Sequence, residues 1–215
     1  MPVEVKICGL STAETLDAAL NAGADLVGFV FFPASPRNVS LEQAAALAAR
    51  ARGRARIVAL VVDADDALVT AINAKVDPDL FQAHGAETPQ RIAAITRLTG
   101  KPVIKAIKVK DAADIAQGSA YARAAALILY DAKAPETLAG ALPGGNGLAF
   151  DWTLMGADNP SAFMLSGGLN PANVDAAIRL TGAPIVDVSS GVESAPGVKD
   201  IGLIRKFIEA AKGPR

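Results

Sequence analysis

The chain alternates along its whole length between short apolar segments rich in β-branched residues and alanine-rich segments with helical periodicity. Eight segments have the character of strands, at 3–7, 26–31, 57–62, 80–83, 102–107, 126–130, 163–166 and 184–189. The segments between them repeat apolar residues at helical spacing, as in Leu16, Ala19 and Leu20, which gives each helix one buried stripe. Strands that are apolar on both faces and separated by helices indicate a parallel sheet covered by helices.

Eight such units in 215 residues predict an α/β fold, a single (β/α)8 TIM barrel, whose typical length is about 250 residues. A doubly wound open sheet is the alternative architecture that the same alternation allows. Hydrophobic residues make up 51% of the chain, which is enough for a large core, and no linker or low-complexity segment divides the sequence. We therefore predict one catalytic domain over residues 1–215.

The ends of the helices carry their own signals. Small polar residues that can cap a first turn precede four of the helical segments: Ser11, Ser40, Thr88 and Asn170. Glycines suited to a left-handed C-terminal residue follow three of them: Gly23, Gly100 and Gly182. The weakest unit is 131–161, which we predict to be a long loop with short helical pieces, and long ordered loops in compact domains are usually functional.

Composition excludes several classes of protein. The 21 basic and 22 acidic residues give a net charge of −1, which predicts no nucleic-acid partner, since such a surface needs a clustered positive field. The longest apolar run, LVGFVFFPA, is stopped by Pro33, well short of the roughly 18–20 residues of a membrane helix. Charges at Glu4 and Lys6 argue against a signal peptide, and a single cysteine fits a reducing compartment. We expect a cytoplasmic protein with no membrane partner, either a monomer or a homodimer.

Polar residues that directly follow the apolar runs are the candidates for a site. The active site of a barrel lies at the carboxyl ends of its strands, so these residues converge on one face if the barrel forms. They are Cys8, Arg37, Gln82, His84, Asp131, Ser166, Gly167, Gly168 and the run from Asp187 to Gly191.

Two of these stretches, LSGGLNPANV and VDVSSGVE, predict a phosphate site. Each puts small residues before a helix-like segment, where exposed backbone N–H groups can hold an anion. The loops after strands 7 and 8 are also the usual phosphate position of this fold. The alternative is that both are ordinary tight turns. The candidate phosphate-binding residues are Gly167, Gly168, Ser189, Ser190 and Gly191.

Asp131 and Cys8 are the candidates for proton transfer. A strand-end aspartate such as Asp131 is partly desolvated, which favours the protonated form that a general acid needs; the alternative is a helix cap or a surface carboxylate. Cys8 would need neighbouring positive charge to act as a thiolate base, and the local sequence equally allows a packed structural thiol. Arg37 can clamp a substrate carboxylate or lie on the surface. His84 is the only histidine, so no metal site is predicted.

Seven motifs in order give the chain a resemblance to the phosphoribosylanthranilate isomerases of tryptophan biosynthesis, over nearly its whole length. They are KICGL, SPR, FQAHG, a strand-ending Asp131, GGNGLAFDW, LSGGLNPANV and VDVSSGVESAPGVKD. The resemblance implies a cofactor-free Amadori rearrangement of a phosphorylated small molecule, with Asp131 as general acid and Cys8 as general base. It further implies that Arg37 holds the anthranilate carboxylate and that His84 and Asp187 lie near the substrate.

The chain departs from the family pattern at Asn146, where a threonine is usual, and at Phe81 and Ala83 in FQAHG. These positions affect loop closure and the layers of the barrel, not the proposed acid or base. Two other functions remain open. One is a different phosphate-binding barrel, such as a lyase or the aminoaldose isomerase of histidine biosynthesis, which resembles a pair of aspartates at the catalytic positions. The other is a barrel that binds a phosphorylated metabolite without catalysis.

Overall fold

The computed structural model describes residues 3–133, 144–155 and 162–213. Eight parallel strands form a closed barrel in chain order. They are β1 Glu4–Cys8, β2 Leu26–Phe31, β3 Arg56–Val61, β4 Leu80–Ala83, β5 Val103–Val109, β6 Leu127–Ala132, β7 Phe163–Leu165 and β8 Ile185–Val188. The last strand pairs with the first, with Lys6 opposite Asp187, so the sheet is a closed (β/α)8 barrel as predicted and not an open sheet.

Helices cover the outside of the barrel. They are α1 Ala13–Ala22, α2 Leu41–Ala51, α3 Asp66–Val76, α4 Pro89–Thr99, α5 Ala112–Ala116, α6 Val174–Thr181 and α7 Ile201–Lys212. Short 3-10 turns lie at Gln117–Tyr121, Trp152–Leu154 and Ser190–Val192, and an antiparallel hairpin, β9 Glu193–Ala195 and β10 Val198–Lys199, follows β8. Of the predicted long loop at 131–161, residues 134–143 and 156–161 lie outside the described residues. No helix in the described part of the chain is long and apolar enough to cross a membrane.

The predicted helix ends are largely confirmed. Gly23, Gly100 and Gly182 adopt left-handed conformations, with φ of 92°, 71° and 66°, which a residue without Cβ tolerates. Ser40 and Thr88 accept hydrogen bonds from the third residue of their helices. These ends fix where each helix stops and the next strand begins.

Two predicted N-caps are wrong. Helix α1 is capped by Thr12 and not by Ser11, because the Thr12 side chain is the one that accepts from the first turn. Helix α6 begins only at Val174, with Asn173 as the preceding residue. Asn170 closes a separate turn before it, in which its N–H donates to Asn173 Oδ1 at 2.8 Å. Where several small polar residues follow one another, more than one of them can cap the helix, and the geometry of the turn determines which one does.

Strand alternation divides the core into two regions. Outward residues such as Ile7, Phe29 and Phe81 are fully buried against the helices. Inside the barrel, an apolar layer of Leu26, Val58, Ile104, Ala106, Leu129 and Met164 fills the lower part. The polar side chains that line the cavity lie above this layer, at the carboxyl ends of the strands.

Candidate active site

All of the predicted site residues except Gln82, which is buried beneath His84, line one cavity at the carboxyl ends of the strands. Its volume is about 740 Å³ including its open mouth. The predicted residues in its wall are Cys8, Arg37, His84, Asp131, Gly167, Gly168, Asp187, Ser189, Ser190 and Gly191. Val30 and Leu60 form an apolar wall beside Cys8. The cavity thus has an apolar side and several convergent polar groups, which is the usual composition of a small-molecule site.

Cys8 lies above a buried ion pair. Lys6, on the same inner face of β1, places Nζ 2.8 Å from Asp187 Oδ1 of β8, and both side chains are buried. The glycine at position 28 makes the room for this arrangement, since a Cβ there would lie 3.0 Å from Cys8 Sγ and 3.3 Å from Lys6 Cε. The thiol and the ammonium group are therefore close neighbours.

Burial and charge act on these groups in opposite directions. Burial raises the pKa of the Cys8 thiol above its ordinary value, and the Lys6 ammonium offsets this effect only in part. Burial alone would lower the pKa of Lys6, but the Asp187 carboxylate and Cys8 outweigh it, so the pKa of Lys6 is raised. At neutral pH, Lys6 is therefore charged and Cys8 is mainly a thiol.

Asp131 is the penultimate residue of β6, and each of its carboxyl oxygens has a hydrogen-bond partner. The Ala132 N–H donates to Oδ1 at 2.9 Å, and His84 Nε2 lies 3.2 Å from Oδ2. On the other side of the ring, Gln82 Nε2 lies 2.9 Å from His84 Nδ1. Gly144 covers this pair, because a Cβ there would lie 2.5 Å from His84 Nε2 and 2.8 Å from Asp131 Oδ2.

Arg37 is fixed by a buried carboxylate that the sequence did not single out. Its Nε and Nη2 donate to Glu193 Oε1 and Oε2 at 2.7 and 2.8 Å. Lys199 Nζ donates to the same Oε1 at 2.6 Å. Although burial alone would raise the pKa of Glu193, Arg37 and Lys199 hold it below its ordinary value. The Arg37–Glu193–Lys199 cluster carries one net positive charge at the rim of the cavity.

The two loops after β7 and β8, at 166–168 and 189–191, approach other backbone closely. A Cβ on Gly167 would lie 2.6 Å from the Ala132 nitrogen, and one on Gly191 would lie 1.8 Å from the Leu169 carbonyl oxygen. Lys199 Nζ donates to the Ser189 carbonyl at 2.9 Å and contacts its hydroxyl at 3.2 Å. We call these the glycine loops; they combine small residues with a nearby buried cation, as an anion site requires.

Lys6, Glu193 and Lys199 are the functional candidates that the sequence reasoning missed. Lys6 could have been found, because a residue two before Cys8 in a strand shares its face. Glu193 and Lys199 belong to the β9–β10 hairpin, and no local pattern indicates that they meet Arg37. Within the described ranges, no group of three or more His, Cys, Asp or Glu side chains is placed to hold a metal ion.

Comparison with known proteins finds similarity over the full chain. The sequence model of the N-(5'phosphoribosyl)anthranilate (PRA) isomerase family matches residues 5–210. The N-(5'-phosphoribosyl)anthranilate isomerase of Rhodopseudomonas palustris (strain BisB5) is 56% identical over 213 residues, which cover 99% of this chain and 97% of that protein.

Solved structures agree with this similarity. The crystal structure of phosphoribosyl anthranilate isomerase from Thermotoga maritima superposes with a TM-score of 0.88 at 36% identity, covering 99% of this chain and 100% of that one. A phosphoribosyl anthranilate isomerase in complex with reduced 1-(o-carboxyphenylamino)-1-deoxyribulose 5-phosphate superposes with a TM-score of 0.85 at 34% identity, with the same coverage.

Proposed function

The chain belongs to the N-(5'-phosphoribosyl)anthranilate isomerase family, and from this premise we propose how its residues carry out that isomerisation. The reaction, a step of tryptophan biosynthesis, converts N-(5'-phosphoribosyl)anthranilate into 1-(2-carboxyphenylamino)-1-deoxyribulose 5-phosphate by an Amadori rearrangement. One observation carries the assignment of roles. A buried thiol on β1 and a buried carboxylate on β6 face the same cavity, between two groups suited to bind anions.

The two anionic ends of the substrate define its orientation. Arg37 binds the anthranilate carboxylate, because Glu193 engages Nε and Nη2 and leaves Nη1 for a ligand. The glycine loops bind the phosphate through backbone N–H groups and serine hydroxyls. His84 and Asp187 complete the contacts with the sugar between these ends. Fixing both ends of the substrate supplies several kcal/mol through positioning.

Asp131 acts first, as the general acid. It transfers a proton to the furanose ring oxygen, the C1′–O bond breaks, and the nitrogen lone pair forms the Schiff base. The carboxylate that remains keeps its hydrogen bonds from the Ala132 N–H and from His84. Because hydrogen bonds to an ionised group are about twice as strong as neutral ones, these donors favour release of the proton.

Cys8 then acts as the general base. Its thiolate removes the proton from C2′, which the adjacent iminium carbon has made acidic, and the resulting enolamine tautomerises to the ketone. Lys6 supports the thiolate because its ammonium lowers the pKa of Cys8 against the effect of burial. No hydride or group passes between molecules, so an acid and a base suffice and the reaction uses no cofactor or metal.

The remaining parts of the proposal concern the protein as a whole. Residues 1–215 form one catalytic domain, and every residue in the proposed machinery comes from one chain, so either a monomer or a homodimer is competent. The enzyme works in the cytoplasm on a phosphorylated small molecule, without nucleic acid or membrane. Its single, free cysteine supports this location, because a catalytic thiol must stay reduced.

The test is an isomerase assay that follows the loss of phosphoribosylanthranilate fluorescence. Cys8→Ser and Asp131→Asn should each lower kcat by at least about a thousandfold and keep the wild-type circular dichroism. Asp66→Asn, the same chemical change in an exposed ion pair on α3, is the control with unchanged activity. Near-normal turnover by either site variant would refute its role. Flat fluorescence with wild-type protein would favour the non-catalytic barrel, and conversion of the histidine-pathway aminoaldose alone would favour that isomerase.

A further inference from the structure

A buried chain of hydrogen bonds runs from β4 to the proposed acid. Gln82, on β4, contacts His84 just beyond the end of that strand, and His84 contacts Asp131 on β6. The relative exposures of these residues are 0%, 5% and 5%. Water competes little for such contacts, so the direction of each hydrogen bond has a chemical consequence.

The orientation of the Gln82 amide determines which nitrogen of His84 bears the proton. Gln82 presents Nε2, a donor, to His84 Nδ1, so Nδ1 must offer its lone pair. A neutral imidazole then carries its hydrogen on Nε2. That N–H points to Asp131 Oδ2, 3.2 Å away, and is a donor to the acid.

The opposite tautomer would disable the acid. With the hydrogen on Nδ1, Nε2 would turn a lone pair toward the Asp131 carboxyl group. The contact would then be repulsive, or it would require the Asp131 proton to lie between the two groups. A proton held there by His84 is not free to move to the substrate, whereas in the observed arrangement the Asp131 proton can be directed into the cavity.

We propose that Gln82 is a positioning residue that holds neutral His84 in its Nε2–H tautomer, so that His84 donates to Asp131 throughout proton transfer. The second half of this statement rests on the proposed function of Asp131. As Asp131 loses its proton, negative charge develops on its oxygens and the hydrogen bond from His84 strengthens. An interaction that grows toward the transition state raises kcat and not only binding.

A second observation supports the assignment. Gln82 Oε1 is buried, and no donor in the described part of the chain reaches it. The contact with His84 is therefore the polar interaction that orients the amide. A side chain serving only as packing at this position inside the barrel would be better replaced by an apolar one, because an unsatisfied buried oxygen is costly.

The test uses the fact that the chain contains a single histidine. In ¹⁵N-labelled protein, long-range ¹H–¹⁵N spectra report the protonation of one imidazole ring without overlap. The wild-type protein should show Nε2 protonated and Nδ1 unprotonated at neutral pH. A ring protonated on Nδ1 and not on Nε2 would overturn the proposal, and this result does not depend on any activity measurement.

Two variants of Gln82 separate control of the tautomer from packing. Gln82→Met keeps the length of the side chain but removes the donor, so Nδ1–H should appear and kcat should fall about tenfold, with KM changed less than about twofold. Gln82→Glu keeps the volume but supplies an acceptor, so both ring nitrogens should be protonated at neutral pH. Leu129→Met, a volume-conserving change in the apolar layer of the barrel, should leave the tautomer and kcat unchanged.

The outcomes distinguish this proposal from the proposed function. If Gln82→Met folds and keeps both the Nε2–H tautomer and the wild-type kcat, Gln82 has no positioning role. If the tautomer changes as expected but Asp131→Asn remains active, the role of Asp131 is wrong and the control of His84 by Gln82 stands. If Gln82→Met does not fold, the spectra of the wild-type protein and of Gln82→Glu still test whether Gln82 controls the tautomer of His84.

Discussion

Glu193→Gln tests whether the buried carboxylate behind Arg37 orients the substrate clamp. The side chain of Glu193 accepts from Arg37 at both oxygens, from Lys199 at 2.6 Å, and from the Gly197 N–H at 3.2 Å. Glutamine keeps the size of the side chain but offers only one acceptor oxygen. Its amide hydrogens would face the donors of Arg37 or Lys199.

The electrostatic effect of this change is limited by the response of Lys199. Burial already lowers the pKa of Lys199 below its ordinary value, and Glu193 is the main group that raises it. Without that carboxylate, Lys199 loses its proton more readily. This response limits the gain in positive charge at the cluster. Removing a carboxylate does not weaken the attraction for the anionic substrate, so the loss of orientation dominates.

The expected magnitudes follow from burial. Removing one partner of a buried ion pair costs about 3–5 kcal/mol, which for a domain of this size lowers Tm by roughly 6–20 °C. An Arg37 side chain that must be ordered by the substrate costs about 0.5–1.5 kcal/mol of binding, so KM should rise about two- to twelvefold. The clamp acts equally on substrate and transition state, so kcat should change little.

Calorimetry and steady-state kinetics measure both effects, and Glu42→Gln is the matched control. Glu42 pairs with Lys75 in solvent, with 69% of its side chain exposed, so the same chemical change there should leave both Tm and KM unaltered. Equal Tm and KM for Glu193→Gln and Glu42→Gln would refute the argument. A loss of kcat at unchanged KM would place Glu193 in the chemistry instead of in the clamp.

Two further predictions concern pH. Burial raises the pKa of Cys8, so the rate of Cys8 alkylation should still be rising above about pH 8.5, the ordinary pKa of an exposed thiol. Lys6→Met should shift this pH profile further toward alkaline pH. An alkylation rate that levels off at neutral pH would contradict the prediction. Burial alone would raise the pKa of Glu87, but Lys105 lowers it, and the pKa of Glu193 is also lowered. As the pH falls, these two carboxylates are therefore protonated in the unfolded state before they are protonated in the folded state. Both residues contribute stability above about pH 4.5, and this contribution is lost as the pH falls through their lower folded pKa values. Thermal unfolding between pH 7 and pH 3 should show this loss, with a flatter profile for Glu87→Gln.

The fold could be predicted because each of its determinants is local. Strands buried on both faces appear in the sequence as short apolar runs. Glycines such as Gly100 mark the residue after a helix that must adopt a left-handed backbone conformation. The alternation predicts parallel pairing, since parallel neighbours need a crossing helix, and the number of units, eight, favours a closed barrel over an open sheet. The predicted N-cap at Ser11 was wrong for a local reason as well, because the hydroxyl of Thr12, one residue later, can accept the same capping hydrogen bond.

The site was only partly predictable, because its charges are paired across the closed barrel. Lys6 and Asp187 are 181 residues apart in the chain, and Arg37 and Glu193 are 156 apart. The position of Cys8 at a strand end could be predicted from the sequence, but the direction of its pKa shift could not. Although the sequence places Lys6 on the same face as Cys8, the direction depends on whether burial outweighs the Lys6 charge, and the extent of burial is decided by the closed barrel.

The raised pKa of Cys8 fits its proposed role better than a permanently ionised thiol would. A thiolate in the cavity would repel a substrate that carries a phosphate and a carboxylate, whereas a thiol does not. A higher pKa also makes the thiolate a stronger base toward the C2′ proton, although it reduces the fraction present at neutral pH. Basicity increases the rate of proton abstraction by less than tenfold per pKa unit, while the thiolate fraction falls tenfold. The net result is a base limited by its own ionisation, so Lys6, which lowers the pKa of Cys8 from beneath the cavity, determines how much of the enzyme is competent at a given pH.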